Sequence, residues 1–251
     1  MGKFFLLVNR VFILSPARAG GQRAQLLARP EATFELARQV RIGDAVLGDV
    51  FSFCSGLYFR GKLAYARRFA QPTEDTAGVQ IITPSRGLLS ADVRVGSAEL
   101  QEFATVAIDS HEPRFTEPLL RSAEMLAAVT CCEVVLLGSV ATGKYVDCLL
   151  PILGRQLLFP SEFVGHGDMS RGGLLLRCAA RNEELKLRSS LRRDPPWSAG
   201  GKTIGLVRLR VRSRAISRGH FSPPTPPVSL AECEVEPPSW LGSLRLLQEG
   251  F

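Results

Sequence analysis

The run of residues 133–137, EVVLL, constrains the fold more than any other part of the sequence. It is almost wholly apolar, as expected for a central strand of a parallel sheet that is covered on both faces. It leads through Gly138 into a pattern that predicts a helix from about Gly143 to Leu153. A buried strand followed by a helix is the repeating unit of α/β folds, so this run predicts that class.

Strand and helix patterns alternate along the first 190 residues. Strands are also expected at residues 11–14, 79–83, 156–159 and 185–187, the last of them at a sheet edge. Helices are expected within residues 31–40, 57–70, 117–129 and 169–180. This alternation predicts one layered, Rossmann-like α/β domain over residues 1–190 with a mostly parallel sheet.

The remaining residues, 191–251, have a different composition. They contain eight of the sixteen prolines, and residues 192–220 carry eight basic side chains against one acidic one. The formal net charge of the whole chain is +7, whereas residues 1–191 have a net charge of +3. We therefore expect a flexible, basic, proline-rich extension, which either binds phosphates or is simply solvated.

Composition excludes several classes of protein. A hydrophobic fraction of 45% and a charged fraction of 22% are typical of a globular chain, and no apolar run approaches the about 18 residues of a membrane span. The six cysteines form no C-x-x-C pair and there are only three histidines, so we expect neither a metal site nor a cofactor. The apolar run at the N-terminus breaks at Asn9 without an export signal, which favours a cytoplasmic protein.

The loop after the EVVLL strand satisfies the pattern G-x-x-x-x-G-K. Gly138, Ser139, Gly143 and Lys144 would present backbone N–H groups and an amine to an anion. Tyr145 occupies the position where a phosphate-binding loop needs a magnesium-binding Ser or Thr, so ATP hydrolysis is not expected. The loop is either an anion-binding turn without hydrolysis or a tight strand–helix turn with a surface lysine.

A second candidate lies at the start of the helix in residues 57–70. Tyr58, Arg60 and Lys62 would place a stacking ring and two cations where phosphate or a base could dock. The alternative is a helix that Ser55 caps and whose basic face is solvated.

Two further loops carry candidate residues. In residues 165–173, Asp168 could act as a general base or bind ribose and Arg171 could hold an anion, although N-capping also explains Asp168. The four glycines of this segment suggest a close approach of the backbone to a ligand or to another chain segment. Arg86 lies in the loop after the strand at residues 79–83, and the loops after parallel strands are expected to meet at one cleft.

Three segments resemble an uncharacterised bacterial protein family, and the resemblance covers roughly residues 10–190. They are residues 55–66 (SGLYFRGKLAYA), 138–147 (GSVATGKYVD) and 167–177 (GDMSRGGLLLR). A weaker similarity joins the YFR helix and residues 82–88 (ITPSRGL) to uracil-DNA-glycosylase-like domains, including those attached to tRNA-guanine transglycosylases. The first resemblance implies no known activity, and the second implies a nucleotide or nucleic acid as ligand.

The leading hypothesis is a cleft at the carboxyl ends of the strands that binds a nucleotide or nucleic acid. Ser139, Lys144 and Arg171 would hold phosphate, Tyr58 would stack on a base, and Asp168 would be the acid or base of any base-modifying reaction. The alternatives are a non-catalytic protein-interaction module and a degenerate P-loop that binds phosphate.

Overall fold

Two apolar runs lie side by side at the centre of the sheet. Residues 11–14 and 134–137 are all 1% exposed or less. The two strands pair in parallel, from Asn9 opposite Cys132 to Leu14 opposite Leu137. Because helices cover both faces of the sheet along these two runs, neither run carries a polar side chain.

The structure, a computed structural model, describes residues 9–139, 143–163 and 166–189. The strands in these ranges are β1 (Asn9–Leu14), β2 (Ala45–Val46), β3 (Val79–Thr83), β4 (Gly87–Ser90), β5 (Arg94–Val95), β6 (Cys132–Leu137), β7 (Leu157–Pro160) and β8 (Leu187–Ser189). The helices are α1 (Gln22–Ala28), α2 (Glu35–Ile42), α3 (Leu47–Ser55), α4 (Leu57–Phe69), α5 (Ser97–Thr105), α6 (Pro113–Ala127), α7 (Val146–Leu153) and α8 (Asp168–Arg181).

Six of these strands form one sheet, in the order β4-β3-β1-β6-β7-β8. The four central strands are parallel, whereas β4 and β8 pair antiparallel with their neighbours at the two edges. Strands β2 and β5 form a separate antiparallel pair. The prediction of an α/β fold with a mostly parallel sheet is therefore confirmed for the described residues.

Helices cover the sheet on both sides. Alternate side chains of β1 and β6, beginning with Phe12 and Val135, join a core that contains residues of α1–α4 and α8. The side chains between them, beginning with Val11 and Val134, join a second core with α6 and α7. The connection after β1 thus runs over one face and the connection after β6 over the other, which makes these neighbouring strands the topological switch point of the sheet.

Several element boundaries differ from the prediction. Helix α7 begins at Val146, three residues after the predicted start. Helix α6 begins four residues early, at Pro113, because proline suits the first turn and the Glu112 side chain accepts a hydrogen bond from the Arg114 N–H at 3.1 Å. The last strand begins at Leu187, not at residue 185, because the Leu185 N–H donates to the Tyr65 hydroxyl.

The proposed extension, residues 191–251, lies outside the described residues. None of the described helices has the length and apolarity that a membrane span requires.

Candidate functional site

The loops that follow β1, β3 and β6 lie at one edge of the sheet, as the sequence predicts. These strands are parallel, so their carboxyl ends point in the same direction. Ser15 directly follows β1, and its N–H donates to the Leu137 carbonyl at the end of β6 at 3.1 Å. In open α/β sheets, ligands bind in the crevice at such a switch point.

A buried lysine lies at the end of β1. Lys62 of α4 is 1% exposed, and its Nζ donates to the Ser15 carbonyl at 2.6 Å and to the Ser15 hydroxyl at 2.7 Å. The interpretation that places Lys62 on a solvated basic face of α4 is therefore wrong. Lys62 shares a helix face with Phe59 and Ala66, both fully buried, so its side chain points toward the sheet.

Burial also controls the charge of this lysine. The rings of Tyr58 and Phe59 lie 4.6 Å and 4.9 Å from Nζ and exclude water from it. Loss of hydration lowers the pKa of Lys62 from 10.5 to about 7, against the opposing influence of the Asp168 carboxylate. At neutral pH the amine therefore exists in both its charged and its neutral form.

The Tyr58 hydroxyl is buried and unpaired. It has no hydrogen-bond partner among the residues that the structure describes. Burial raises the pKa of Tyr58 to about 12, although the neighbouring Arg171 lowers it, so the phenol is neutral at physiological pH. A buried hydroxyl without a partner costs free energy, because it loses its hydrogen bonds to water.

Arg171 and Asp168 extend toward this region from the first turns of α8. The Nε and Nη2 atoms of Arg171 donate to the Phe163 carbonyl at 3.0 Å and 2.8 Å, and its Nη1 lies 3.6 Å from Asp168 Oδ1. The Asp168 side chain is 69% exposed. Gly167, not Asp168, occupies the N-cap position, so N-capping does not explain Asp168. Arg171 mainly secures the chain around Phe163, whereas Asp168 is open to solvent.

Glycines bring α8 into contact with α4. A Cβ atom on Gly61 would lie 2.5 Å from the Gly172 carbonyl oxygen, and one on Gly172 would lie 2.8 Å from the Tyr58 Cα. The close approach that the glycine-rich segment suggests is therefore an approach to another helix. It places Asp168 and Arg171 beside Tyr58 and Lys62.

A cleft of about 740 Å³ opens at the same edge of the sheet. Its lining includes Arg18 from the loop after β1, Pro84 from the turn after β3, and Lys144 from the loop after β6. Asp109 is the acidic residue of this lining. Two cations from separate loops therefore face one cleft.

The loop at residues 138–144 is described only at its ends, because Val140, Ala141 and Thr142 lie outside the described residues. A Cβ atom on Gly138 would lie 2.9 Å from the Ser15 Cβ, and Ser139 is half-buried. Gly143 has φ +69° and lies under the Asp147 carboxylate, whose Oδ2 would be 2.4 Å from an added Cβ. A carboxylate over this glycine makes the helix start less favourable for phosphate, and Lys144 is the exposed cation of the loop.

Two predicted binding residues have other surroundings. Arg86 lies in the turn between β3 and β4, where its Nη2 is 2.5 Å from Glu102 Oε2 and its Nη1 is 3.5 Å from Glu99 Oε1. A hydrogen bond from Arg86 lowers the pKa of the Glu102 carboxyl. Arg60 is on the exposed side of α4, away from the Lys62 face. The structure thus does not bring Arg60 or Arg86 into contact with the cluster formed by Ser15, Tyr58, Lys62, Asp168 and Arg171.

Sequence reasoning did not identify Arg18 as a site residue, and it offered Lys62 either as a cation for phosphate or as part of a solvated face, not as a buried partner of Ser15. The available signal was a lysine spaced by three and four residues from apolar positions of the same helix. Serine directly after a buried strand was the second signal. Because no protein-family model, curated protein or solved structure matches this chain, its function has to be inferred from these contacts.

Proposed function

We propose that the domain binds a nucleotide, or the nucleotide unit of a nucleic acid, in the cleft at the carboxyl edge of the sheet. The observation that carries the proposal is the pair of cations, Arg18 and Lys144, that lines this cleft from two loops. Cationic side chains at the ends of parallel strands are a common arrangement for holding phosphate. The similarity that the sequence of residues 58–60 and 82–88 suggests to glycosylase-like domains favours a ligand that carries a base.

Tyr58, which the sequence offers for stacking on a base, is buried beside Lys62 and is not among the described residues that line the cleft. The Lys62 amine lies 4.6 Å from the Tyr58 ring centroid, so stacking of a base on this ring would require the amine to move. The Tyr58 hydroxyl is itself buried from solvent, so a ligand could reach it only if the surrounding side chains moved. In this proposal the cations of the cleft therefore hold the ligand, and Asp168 remains the candidate acid or base of a base-modifying reaction.

The test is a thermal-shift screen of purified protein against nucleoside mono- and triphosphates, single-stranded DNA and tRNA. At a ligand concentration of 100 times Kd, binding contributes about 2.7 kcal/mol, equivalent to a Tm increase of about 5–10 °C for a domain of this size. Arg18→Ala and Lys144→Ala should each reduce the shift, because each removes a cation from the cleft.

Arg155→Ala is the matched control. It removes one exposed positive charge from the turn that precedes β7, at the amino ends of the parallel strands and away from the cleft. The proposal requires the control to keep the full ligand-induced shift. A screen in which no phosphate-bearing ligand raises Tm would contradict nucleotide binding and favour the protein-interaction alternative. Equal losses in all three variants would show binding by overall charge and not by the cleft.

A further inference from the structure

Ser15 and Lys62 form a contact that phosphate binding does not require. The Lys62 Nζ lies 2.7 Å from the Ser15 Oγ, and Ser15 stands directly after β1 at the switch point of the sheet. Both residues are more than nine-tenths buried: Ser15 is 6% exposed and Lys62 is 1% exposed. A hydroxyl within hydrogen-bond distance of a desolvated amine is the arrangement that activates serine nucleophiles.

The surroundings of the pair hold the amine in place. A second hydrogen bond, of 2.6 Å to the Ser15 carbonyl, fixes Nζ beside the hydroxyl. Gly138 packs closely on Ser15, since a Cβ atom there would lie 2.9 Å from the Ser15 Cβ and 3.2 Å from its Oγ. A larger residue at this position would therefore disturb the pair.

We propose that Ser15 and Lys62 are a catalytic serine–lysine dyad that transfers the acyl group of an ester or amide substrate to water. Ser15 is the nucleophile and Lys62 is the general base. This activity goes beyond ligand binding and does not depend on it, since neither Arg18 nor Lys144 takes part in the dyad.

The chemistry uses two half-reactions. The neutral Lys62 amine accepts the Ser15 hydroxyl proton while Oγ forms a bond to the carbonyl carbon. The bond from that carbon to the leaving oxygen or nitrogen then breaks, and the Lys62 ammonium gives its proton to the leaving group. In the second half, Lys62 takes a proton from water as the water oxygen attacks the Ser15 ester, and it returns this proton to Oγ as the acid departs. Water is the only co-reactant.

A small dialkyl fluorophosphonate tests the dyad with the full chain. Attack by Ser15 would form a phosphorus–oxygen bond and release fluoride, which leaves one phosphonyl adduct that intact mass and peptide mapping can locate. We expect a single adduct on Ser15, and none in Ser15→Ala. An unlabelled wild-type protein, or an adduct that maps to another residue, would overturn the proposal.

Ser161→Ala is the matched serine control. Ser161 directly follows β7, as Ser15 follows β1, but it is only half-buried, and its hydroxyl lies within hydrogen-bond distance of Glu162 Oε2 (3.0 Å) and the Lys186 carbonyl (3.2 Å). The Ser161→Ala variant should be labelled on Ser15 in the same way as the wild-type protein. Lys62→Arg keeps the positive charge but cannot accept the serine proton, so labelling should slow by at least about 100-fold. A rate within a few-fold of wild type would exclude Lys62 as the base.

If Lys62→Arg does not fold, the pH dependence of wild-type labelling tests whether Lys62 is the general base. The charged and titratable groups facing the amine are Asp168 and Arg171 from α8 and Tyr58 from α4. Burial raises the pKa of Tyr58 to about 12, so its hydroxyl stays neutral over pH 6–8. The rate should therefore rise with a midpoint near pH 7 and then level off. A rate that increases steadily to pH 10 would overturn the assignment.

Discussion

The burial of Lys62 lowers the free energy of unfolding by an amount that depends on pH. Its pKa is about 7 in the folded chain, against an ordinary value of 10.5 that applies to the unfolded chain. Between these values the unfolded state binds a proton that the folded state does not. The contribution of Lys62 to stability is therefore fully present above about pH 10.5 and is lost as the pH falls toward 7.

The variant Lys62→Met tests this relation, because it removes the titrating amine and retains much of the side-chain volume. Over pH 7–9 the free energy of unfolding should rise for the wild type relative to Lys62→Met by up to roughly 1.4 kcal/mol per pH unit. Urea denaturation at several pH values measures the difference. Lys186→Met, which changes an exposed lysine, should run parallel to the wild type. A Lys62→Met curve that is also parallel would show that the amine does not titrate in this range.

Two buried tyrosines provide an internal comparison for unpaired hydroxyls. Tyr58 has no hydroxyl partner among the described residues, whereas the Tyr65 hydroxyl accepts the Leu185 N–H at 2.8 Å. Tyr58→Phe should raise the free energy of unfolding by about 1 kcal/mol, and Tyr65→Phe should lower it by about 1–2 kcal/mol. Urea denaturation of both variants measures whether each free energy of unfolding rises or falls relative to the wild type. Equal destabilisation would mean that the Tyr58 hydroxyl is paired in solution.

At the scale of elements, the contact between α4 and α8 builds the candidate site. Residues 55–66 and 167–177 contribute to these helices, and Gly61 and Gly172 allow their backbones to touch. Glycine inside a helix costs about 1 kcal/mol relative to alanine. The contact that orients Lys62 beside Asp168 thus offsets an intrinsic disadvantage of both helices.

Alanine at the contact glycines should therefore be destabilising despite its higher helix propensity. Gly172→Ala forces a methyl group against the backbone of Tyr58, and we expect a loss of about 2–3 kcal/mol in the free energy of unfolding. Gly173→Ala, the adjacent control, meets only the flexible end of Arg177 at 3.3 Å and should be neutral or stabilising by up to about 1 kcal/mol. Chemical denaturation distinguishes them, and equal effects would contradict the importance of the helix contact.

Periodicity predicted the elements with strong local signals. Strand β3 and helix α4 match the predicted ranges to within one residue, because each has a clear apolar pattern bounded by a breaker. Helices α1, α3 and α5 were not predicted. The sequence indicates a loop where strand β4 lies, since the β3–β4 hairpin depends on the Thr83 hydroxyl, which accepts the Arg86 N–H and donates to the Gly87 carbonyl.

The candidate site was predictable only in part. Parallel strands fix where the loops meet, so residues near Gly138 could be assigned to the site edge from the sequence. The burial of Lys62 could not be predicted, because a charged side chain is ordinarily exposed and its hydrogen-bond partner, Ser15, lies 47 residues away along the chain. Only the tertiary structure shows that the Ser15 carbonyl and hydroxyl accept hydrogen bonds from the buried amine.

At the scale of the whole molecule, charge is concentrated outside the described fold. Residues 192–220 carry eight basic side chains and one acidic one, whereas residues 1–191 carry 22 and 19. Long-range attraction of nucleic acid and recognition in the cleft are therefore separable properties. The first depends on the number of phosphates that the chain neutralises, and the second depends on Arg18 and Lys144.

Removal of residues 191–251 separates these properties. The six-stranded sheet from β4 to β8 is built from residues 9–189, so the shortened chain should keep the urea midpoint of the full chain. If the side chains of Arg208, Arg210, Arg212 and Arg214 neutralise phosphates, the slope of log Kd against log salt should fall by about 3 to 4 on duplex DNA. Fluorescence anisotropy over a salt series measures this slope. An unchanged slope would mean that these arginines are solvated in the complex, and nucleic-acid affinity would then have to come from the cleft.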